Sequence, residues 1–177
     1  MTSPLDALTF RSATRSDALR LAAVMVEGFE TYRAFAPDCL RPDVEEIVGI
    51  LESRLETPPV WCQLAEQGSD VAGYVSLLPA SDSRRPVPDP GLMHFWMLFV
   101  RAPWWGTGLA SRLHGAACDA AAARGYTAMR LFTPAGQARA RRFYEREGWA
   151  LTDGPYPDAD LRMDIVEYRR TVRPDRR

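Results

Sequence analysis

A Gly-Thr-Gly turn is the first feature of this sequence whose residue types and spacing could do chemistry. It lies in PWWGTGLAS, from Pro103 to Ser111, between an apolar run that ends at Val100 and an Ala-rich amphipathic segment. Backbone N–H groups at the start of a helix have no partner within it, and the helix dipole adds positive potential there. Because glycine lets a ligand approach the backbone closely, the turn favours binding of a phosphate group.

Two well-known phosphate-binding motifs do not match this turn. A P-loop requires a Lys, and the 22 basic residues of the Lys and Arg count are all Arg. A dinucleotide-binding loop has a third glycine, and Ser111 stands at that position, which disfavours a nicotinamide-dependent enzyme. On local grounds alone, a structural turn and a phosphate-binding turn stay equally open.

The elements that must position the turn follow the predicted order β-α-α-β-β-β-α-β-α-β-β. A first strand is predicted at Leu8–Ala13, and Thr14 with Asp17 gives the capping-box signal of the helix that follows. The continuous apolar run 92–100 predicts a central strand covered on both faces. The segment WALTD, residues 149–153, predicts a short strand near the end of the chain.

Composition limits the classes of protein that fit. The net charge is -1 and the pI about 6.1, so the chain lacks the basic character of a nucleic-acid-binding protein. The three Cys are widely spaced and only two His are present, so we expect no metal site. The start of the chain has no signal-peptide pattern, and no apolar run reaches the ~18 residues of a membrane span. We therefore expect a cytoplasmic protein with no membrane partner, folded as one domain over residues 1–177 with its core at about 8–172.

Two motifs stand in order between Leu92 and Trp149. Trp105–Ala110 aligns with the pattern Q/R-x-x-G-x-G/A at a strand-to-helix turn, with Trp105 where Arg or Gln is usual. Ala140–Trp149 matches A-x-x-F-Y-x-x-x-G-[FW], and Gln137 stands where an Asn is often found. Together they resemble the GNAT superfamily of acyl-CoA-dependent N-acetyltransferases. The resemblance implies an α/β (α+β) GNAT fold, with a mixed central sheet of six to seven strands, about four helices, and a splay between the fourth and fifth strands.

The resemblance also implies acetyl-CoA as the co-substrate and no metal. In this family the turn grips the pyrophosphate mainly through backbone N–H groups, and the strand before the turn pairs with the pantetheine arm. The implied cofactor-binding residues are Leu98, Phe99, Val100, Trp105, Gly106, Thr107, Gly108, Leu109, Ala110, Ser111, Gln137 and Tyr144.

The implied reaction is acetyl transfer to a primary amine of an unidentified acceptor, by direct attack in a ternary complex. The family places its general acid at Tyr144 and often a carboxylate at the position of His94, which makes these residues the expected acid and base. Packing of the Tyr144 ring and a structural His94 are the alternatives. Glu30 and Asp38 lie where the family usually contacts the acceptor, although an ordinary solvated face would also explain them.

The activity and the partners leave alternatives open. A non-catalytic acyl-CoA-binding or sensing domain of the same fold is the second interpretation, because Trp105, Gln137 and His94 depart from the family pattern. The acceptor is a small molecule or a peptide amine, and no code in the sequence distinguishes the two. A homodimer is common in the family, but no apolar stripe here requires one.

Overall fold

Seven strands form one mixed sheet in the computed structural model, which describes residues 3–172. The outer ends of the predicted domain lie outside these residues. The strands are β1 (Thr9–Ser12), β2 (Trp61–Gln67), β3 (Asp70–Pro79), β4 (Leu92–Val100), β5 (Ala128–Pro134), β6 (Ala150–Asp158) and β7 (Met163–Thr171). Their spatial order is β1-β2-β3-β4-β5-β7-β6, and only β4 and β5 run parallel. The predicted order of elements along the chain is confirmed.

Two helices cover each face of this sheet, which agrees with the expected total of about four. The helices are α1 (Ala18–Glu30), α2 (Val44–Arg54), α3 (Leu109–Ala123) and α4 (Ala138–Arg146). The apolar stripes of α1 and α2 pack in one buried cluster with Tyr74 and Met97 of the sheet. Those of α3 and α4 pack in a second cluster with Met129 and Leu131 on the opposite face. The α+β class and the expected GNAT fold are therefore confirmed.

The capping box predicted at the start of α1 is present and is part of a larger ionic network. The Thr14 backbone N–H donates to the Asp17 carboxylate at 2.9 Å. The same buried carboxylate accepts from Arg11 at 2.8 Å and from Arg20 at 3.0 Å. Both arginines also bind Glu66 of β2. The network fixes the start of α1 against the edge of the sheet.

The sheet opens between β4 and β5, which confirms the expected splay. The two strands pair only where Leu92–His94 lies beside Ala128–Arg130. Beyond this point β4 continues to pair with β3, but the register shifts by one residue at Trp96. Such a bulge bends a strand and increases its twist. Because the pairing with β5 stops at His94, the C-terminal half of β4 has one edge without a neighbouring strand among residues 3–172.

Strand β6 is longer than the sequence predicted. The expected strand covered residues 149–153, whereas β6 runs from Ala150 to Asp158. Its register against β7 is irregular on both sides of Asp153, close to Gly154 and Pro155. A proline has no N–H to donate to a neighbouring strand. At the edge of a sheet that loss is tolerated, which is why the strand continues past Pro155.

Candidate active site

A cleft of about 790 Å³ passes through the sheet where β4 and β5 diverge. Its walls come from β4, the glycine turn, the end of β5, α4 and the 3₁₀ turn Thr31–Ala34 that follows α1. Of the residues predicted to bind the cofactor, all except Thr107 line this cleft: Leu98, Phe99, Val100, Trp105, Gly106, Gly108, Leu109, Ala110, Ser111, Gln137 and Tyr144.

The glycine turn presents unpaired backbone donors at one end of the cleft. Gly106 and Gly108 have φ angles of 77° and 90°, in the left-handed region that side chains other than glycine rarely adopt. The backbone N–H groups of Gly106, Gly108, Ala110 and Ser111 find no acceptor among residues 3–172. Because they surround the N-terminus of α3, they form a site suited to an anion.

Side-chain contacts brace the turn from both sides. The Thr107 hydroxyl donates to the Trp104 carbonyl at 2.7 Å, so this threonine supports the turn without lining the cleft. The Trp105 indole N–H donates to the Val100 carbonyl at 2.7 Å. The Arg139 guanidinium lies 3.5 Å above the Trp105 ring in a cation–π contact. Arg139 of α4 therefore places a positive charge beside Trp105, the position where the family usually has Arg or Gln.

The charged residues of the cleft lining have one sign. Arg139, Arg142 and Arg146 of α4 all contribute to it. Within the described part of the chain, none of the lining residues is Asp, Glu or His. The cleft therefore attracts a polyanion, and the three arginines were not among the sequence-predicted site residues. The sequence pattern that could have indicated them is the run ARARRFYER, in which arginines repeat beside the Phe-Tyr pair.

Tyr144 is buried in α4 and lines the cleft. Its ring makes an edge contact with Phe95 of β4, with centroids 6.2 Å apart. Burial raises the pKa of the phenol above its usual value, so the group keeps its proton at neutral pH. The hydroxyl has no hydrogen-bond partner among residues 3–172 and can donate to a molecule in the cleft.

Two hydrogen bonds hold α4 against α3 and thereby position Tyr144. The Ser111 hydroxyl donates to Glu147 at 2.7 Å, and the Trp149 indole N–H donates to His114 Nε2 at 2.9 Å. Burial lowers the pKa of His114 to about 4, which keeps its ring neutral and able to accept this bond. His114 is thus a buried structural residue, and the Ser111 hydroxyl is already used within the protein.

His94 lies in the part of β4 that still pairs with β5. It is 7% exposed and does not line the cleft, but its ring packs 5.6 Å from that of Phe132, which does. Burial and the nearby Arg130 charge lower the pKa of His94 to about 3. The ring is therefore neutral at pH 7 and is a weak proton acceptor. Its role as the base stays a prediction that this placement does not support.

The predicted acceptor residues Glu30 and Asp38 do not line the cleft. Glu30 pairs with Arg33 at 3.2 Å, and Asp38 is exposed in the turn after the first helix. Glu27, one helical turn earlier, pairs with Arg101 at 2.9 Å. The carboxylates of this region are therefore directed to arginines or to solvent, and acceptor binding by Glu30 and Asp38 stays a prediction.

Aromatic side chains form the other end of the cleft, and only Phe99 among them was a predicted site residue. We call this the aromatic end; its residues are Tyr32, Phe35, Trp96, Phe99 and Phe132. Close contact between its walls depends on two glycines, since a Cβ at Gly28 would collide with the Phe99 ring and a Cβ at Gly136 with the Phe35 ring. The sequence pattern that could have indicated this aromatic group is the spacing of Phe29, Tyr32 and Phe35 at intervals of three residues.

A family model matches this arrangement. Residues 24–149 match the acetyltransferase (GNAT) family. The chain belongs to this family. The matched segment contains β2 to β5, α2 to α4 and most of α1, and therefore every residue that lines the cleft. Comparison with curated proteins finds no matching relative.

Solved structures share the fold of this GNAT family member at low identity. An N-acetyltransferase from Staphylococcus aureus Mu50 has a TM-score of 0.74 and 17% identity over 94% of this chain and 99% of its own. YncA from Salmonella typhimurium, solved with its cofactor acetyl-CoA, has a TM-score of 0.71 and 17% identity over 97% of this chain and 99% of its own. PaiA N-acetyltransferase from Thermoplasma acidophilum, in complex with coenzyme A, has a TM-score of 0.69 and 15% identity over 90% of this chain and 97% of its own.

Two structural features do not occur among residues 3–172. No helix in this range has the length and apolar character needed to cross a membrane. No group of three or more His, Cys, Asp and Glu side chains in the same range is arranged to hold a metal ion.

Proposed function

We propose that this GNAT acetyltransferase transfers an acetyl group from acetyl-CoA to a primary amine, by direct attack in a ternary complex. The observation that carries the proposal is the cleft itself. It joins the anion-binding turn, the unpaired edge of β4 and the free Tyr144 hydroxyl in one continuous space. Two of the structurally similar proteins bind acetyl-CoA or coenzyme A, which supports the same ligand here.

The turn end of the cleft suits the phosphates of coenzyme A. Four backbone N–H groups of the turn are unpaired, and three arginines of α4 line the same space. Hydrogen bonds from donors to an ionised phosphate are roughly twice as strong as those between neutral groups. The Arg139–Trp105 contact fixes one of these charges beside the turn before the ligand arrives.

The open edge of β4 suits the pantetheine arm. No β5 residue pairs with β4 beyond His94, so the backbone from Phe95 to Val100 has one edge free. The amides of the arm can pair with this edge as an added strand would, with Leu98, Phe99 and Val100 contributing backbone groups. One N–H of this edge would also polarise the thioester carbonyl and stabilise the oxyanion that forms.

The proposed transfer has two bond-changing steps. The amine nitrogen uses its lone pair to attack the thioester carbonyl carbon, a C–N bond forms and the carbonyl oxygen becomes an oxyanion. The oxyanion then collapses, the C–S bond breaks and the sulfur leaves with the electron pair. The nitrogen loses one proton and the sulfur gains one, so the products are the N-acetyl amine and free coenzyme A.

Tyr144 is the proposed donor of the proton to sulfur. A phenol has an ordinary pKa near 10 and a thiol near 8.5, so complete transfer is uphill by about 2 kcal/mol even before burial raises the phenol value. A hydrogen bond that strengthens as charge develops on sulfur still lowers the barrier, because it is stronger in the transition state than in the ground state. The amine proton can then restore the phenol through solvent.

Binding of coenzyme A is tested with a pair of glycine variants at the two ends of α3. Gly108→Glu places a carboxylate in the turn, and we expect it to abolish binding measured by calorimetry. Gly125→Glu is the matched control, because Gly125 also has a left-handed φ, of 82°, but does not line the cleft. Equal affinity for coenzyme A in both folded variants would refute the assigned binding site.

Catalysis is tested by release of free coenzyme A thiol from acetyl-CoA in the presence of a panel of amines. Amine-dependent release, together with detection of the acetylated amine by mass spectrometry, supports the proposal. Tight binding of acetyl-CoA without amine-dependent release would instead indicate a binding domain without transferase activity.

A further inference from the structure

The aromatic end of the cleft lies on the face of the sheet opposite to α3 and α4. Trp96 and Phe99 are partly buried and pack against the cluster that α1 and α2 form with the sheet. Phe132 alternates along β5 with Leu131, which faces α3, so its ring points to the α1 side. A second molecule can therefore approach the gap between β4 and β5 from this side while acetyl-CoA occupies the other.

The walls of this end are apolar and close together. The rings of Tyr32 and Phe35 lie 5.8 Å apart, and the Phe35 ring also contacts the backbone at Gly136 beyond β5. A ring of the same kind could stack on these walls or meet them edge-on, which are the arrangements that aromatic groups prefer. Tyr32 of the 3₁₀ turn and Phe35 directly after it thus form an aromatic wall of the cleft.

Charge in the cleft disfavours a cationic acceptor. The lining residues within the described chain include three arginines and no carboxylate. The nearby Glu27 and Glu30 are paired with Arg101 and Arg33. An ammonium group taken from water into this cleft would have no counter-ion, and burial of an unpaired charge is strongly unfavourable.

We infer that the acceptor is a small aromatic amine that is uncharged at neutral pH, with its amino group bonded directly to the ring. The inference rests on the proposed function. An alkylamine with a pKa near 10.4 is neutral in only about one molecule in 10³ at pH 7, so it needs a base before it can attack. An amine bonded to an aromatic ring delocalises its lone pair and is neutral already. Such an acceptor matches both the aromatic walls and the absence of Asp, Glu and His from the described lining.

A panel of amines that differ in basicity tests this acceptor class. Thiol release at saturating acetyl-CoA is compared for aniline and toluidine, for benzylamine, and for an aliphatic diamine. We expect the ring-bonded amines to have the highest kcat/KM at pH 7 and a flat profile from about pH 6 to about pH 9. A higher kcat/KM for the diamine overturns the inference and leaves the proposed function intact. If no amine of any class causes thiol release, both the inference and the proposed function are overturned.

Two substitutions at one position test the argument from charge. Ala34 is an exposed residue of the cleft lining. Ala34→Glu adds a carboxylate there, and Ala34→Gln adds an uncharged side chain of nearly the same size. We expect the Glu variant alone to raise kcat/KM for benzylamine and the diamine relative to aniline, by about tenfold or more, the size of effect given by about 1.4 kcal/mol of charge stabilisation. Equal ratios in the two variants would contradict the inference.

Contact between the acceptor and the aromatic wall is tested by measuring kcat and KM separately for aniline in a Phe35 variant. Phe35→Leu keeps an apolar side chain but removes a ring of the aromatic end. We expect a higher KM for aniline, with the KM for acetyl-CoA and the melting temperature nearly unchanged. An unchanged KM for aniline would show that the amine does not contact this wall.

Discussion

Replacement of Tyr144 by Phe should separate catalysis from stability. The change keeps the ring and its edge contact with Phe95 and removes a hydroxyl that has no partner among residues 3–172. Because this hydroxyl opens into the cleft and makes no bond within the described chain, its removal should cost little or no stability. General acid catalysis contributes about 10² to 10⁴ in rate, so turnover should fall by that factor, which corresponds to about 3–5 kcal/mol of activation free energy.

Tyr168→Phe is the matched control with the opposite expectation. The Tyr168 hydroxyl donates to Glu145 at 2.7 Å and accepts from Arg141 at 3.0 Å, and it does not line the cleft. The Tyr168 ring is fully buried, but its partners Arg141 and Glu145 reach solvent, so loss of these two bonds should cost about 1–2 kcal/mol of unfolding free energy. For a chain of this size the melting temperature should fall by roughly 2–8 °C, while turnover per folded molecule stays close to that of the parent.

The assay measures thiol release at saturating acetyl-CoA with an amine that the protein is known to acetylate. A pre-steady-state burst test must first exclude product release as the slow step. Calorimetry with coenzyme A should give the same affinity for Tyr144→Phe and the parent, because the phenol is needed only as the sulfur departs. Turnover of Tyr144→Phe within about twofold of the parent, against the expected loss, would show that water or another donor protonates the thiolate.

Other consequences concern pH and the ionic network at the start of α1. Asp17→Asn should lower the free energy of unfolding by about 2 kcal/mol in urea titrations at pH 7, because a neutral amide replaces the carboxylate that accepts from Arg11 and Arg20, while both arginines keep Glu66. Arg11 holds the pKa of the Asp17 carboxyl well below its usual range. The parent's advantage should therefore persist above about pH 4 and shrink as pH falls further; an advantage that grows on acidification would contradict this assignment. His94→Gln should leave the shape of the pH–rate profile from about pH 6 to about pH 9 unchanged, because the pKa of His94 is about 3; loss of the acidic limb in this variant would restore His94 as the base.

The sequence predicted those parts of the fold that depend on local pattern. Thr14 and Asp17 gave the start of α1 because a capping box satisfies backbone groups within one turn. The run 92–100 predicted a central strand because a strand covered on both faces is apolar without alternation. The bulge at Trp96 was not predictable, since a run without alternation has no signal for a change of face. The length of β6 was underestimated because Pro155 ends a local strand pattern but is tolerated at a sheet edge.

The cofactor side of the site was better predicted than the acceptor side. Gly108, Gln137 and Tyr144 are in motifs of fixed spacing, and the structure brings all three to one cleft. Acceptor contacts have no such motif. The expected residue Glu30 is paired with a neighbouring arginine, and Phe132 reaches the cleft only because the sheet splays. Ion pairing and long-range strand separation are both invisible to local sequence patterns.

The contact between Phe35 and Gly136 lets a residue outside the cleft lining influence the shape of the aromatic end. Gly136 does not line the cleft, yet the Phe35 ring occupies the space that a side chain at this position would need. Any larger residue there would force the ring to move. The shape of the aromatic end can therefore change through a position outside the cleft lining, and Gly136→Ala is the smallest such change.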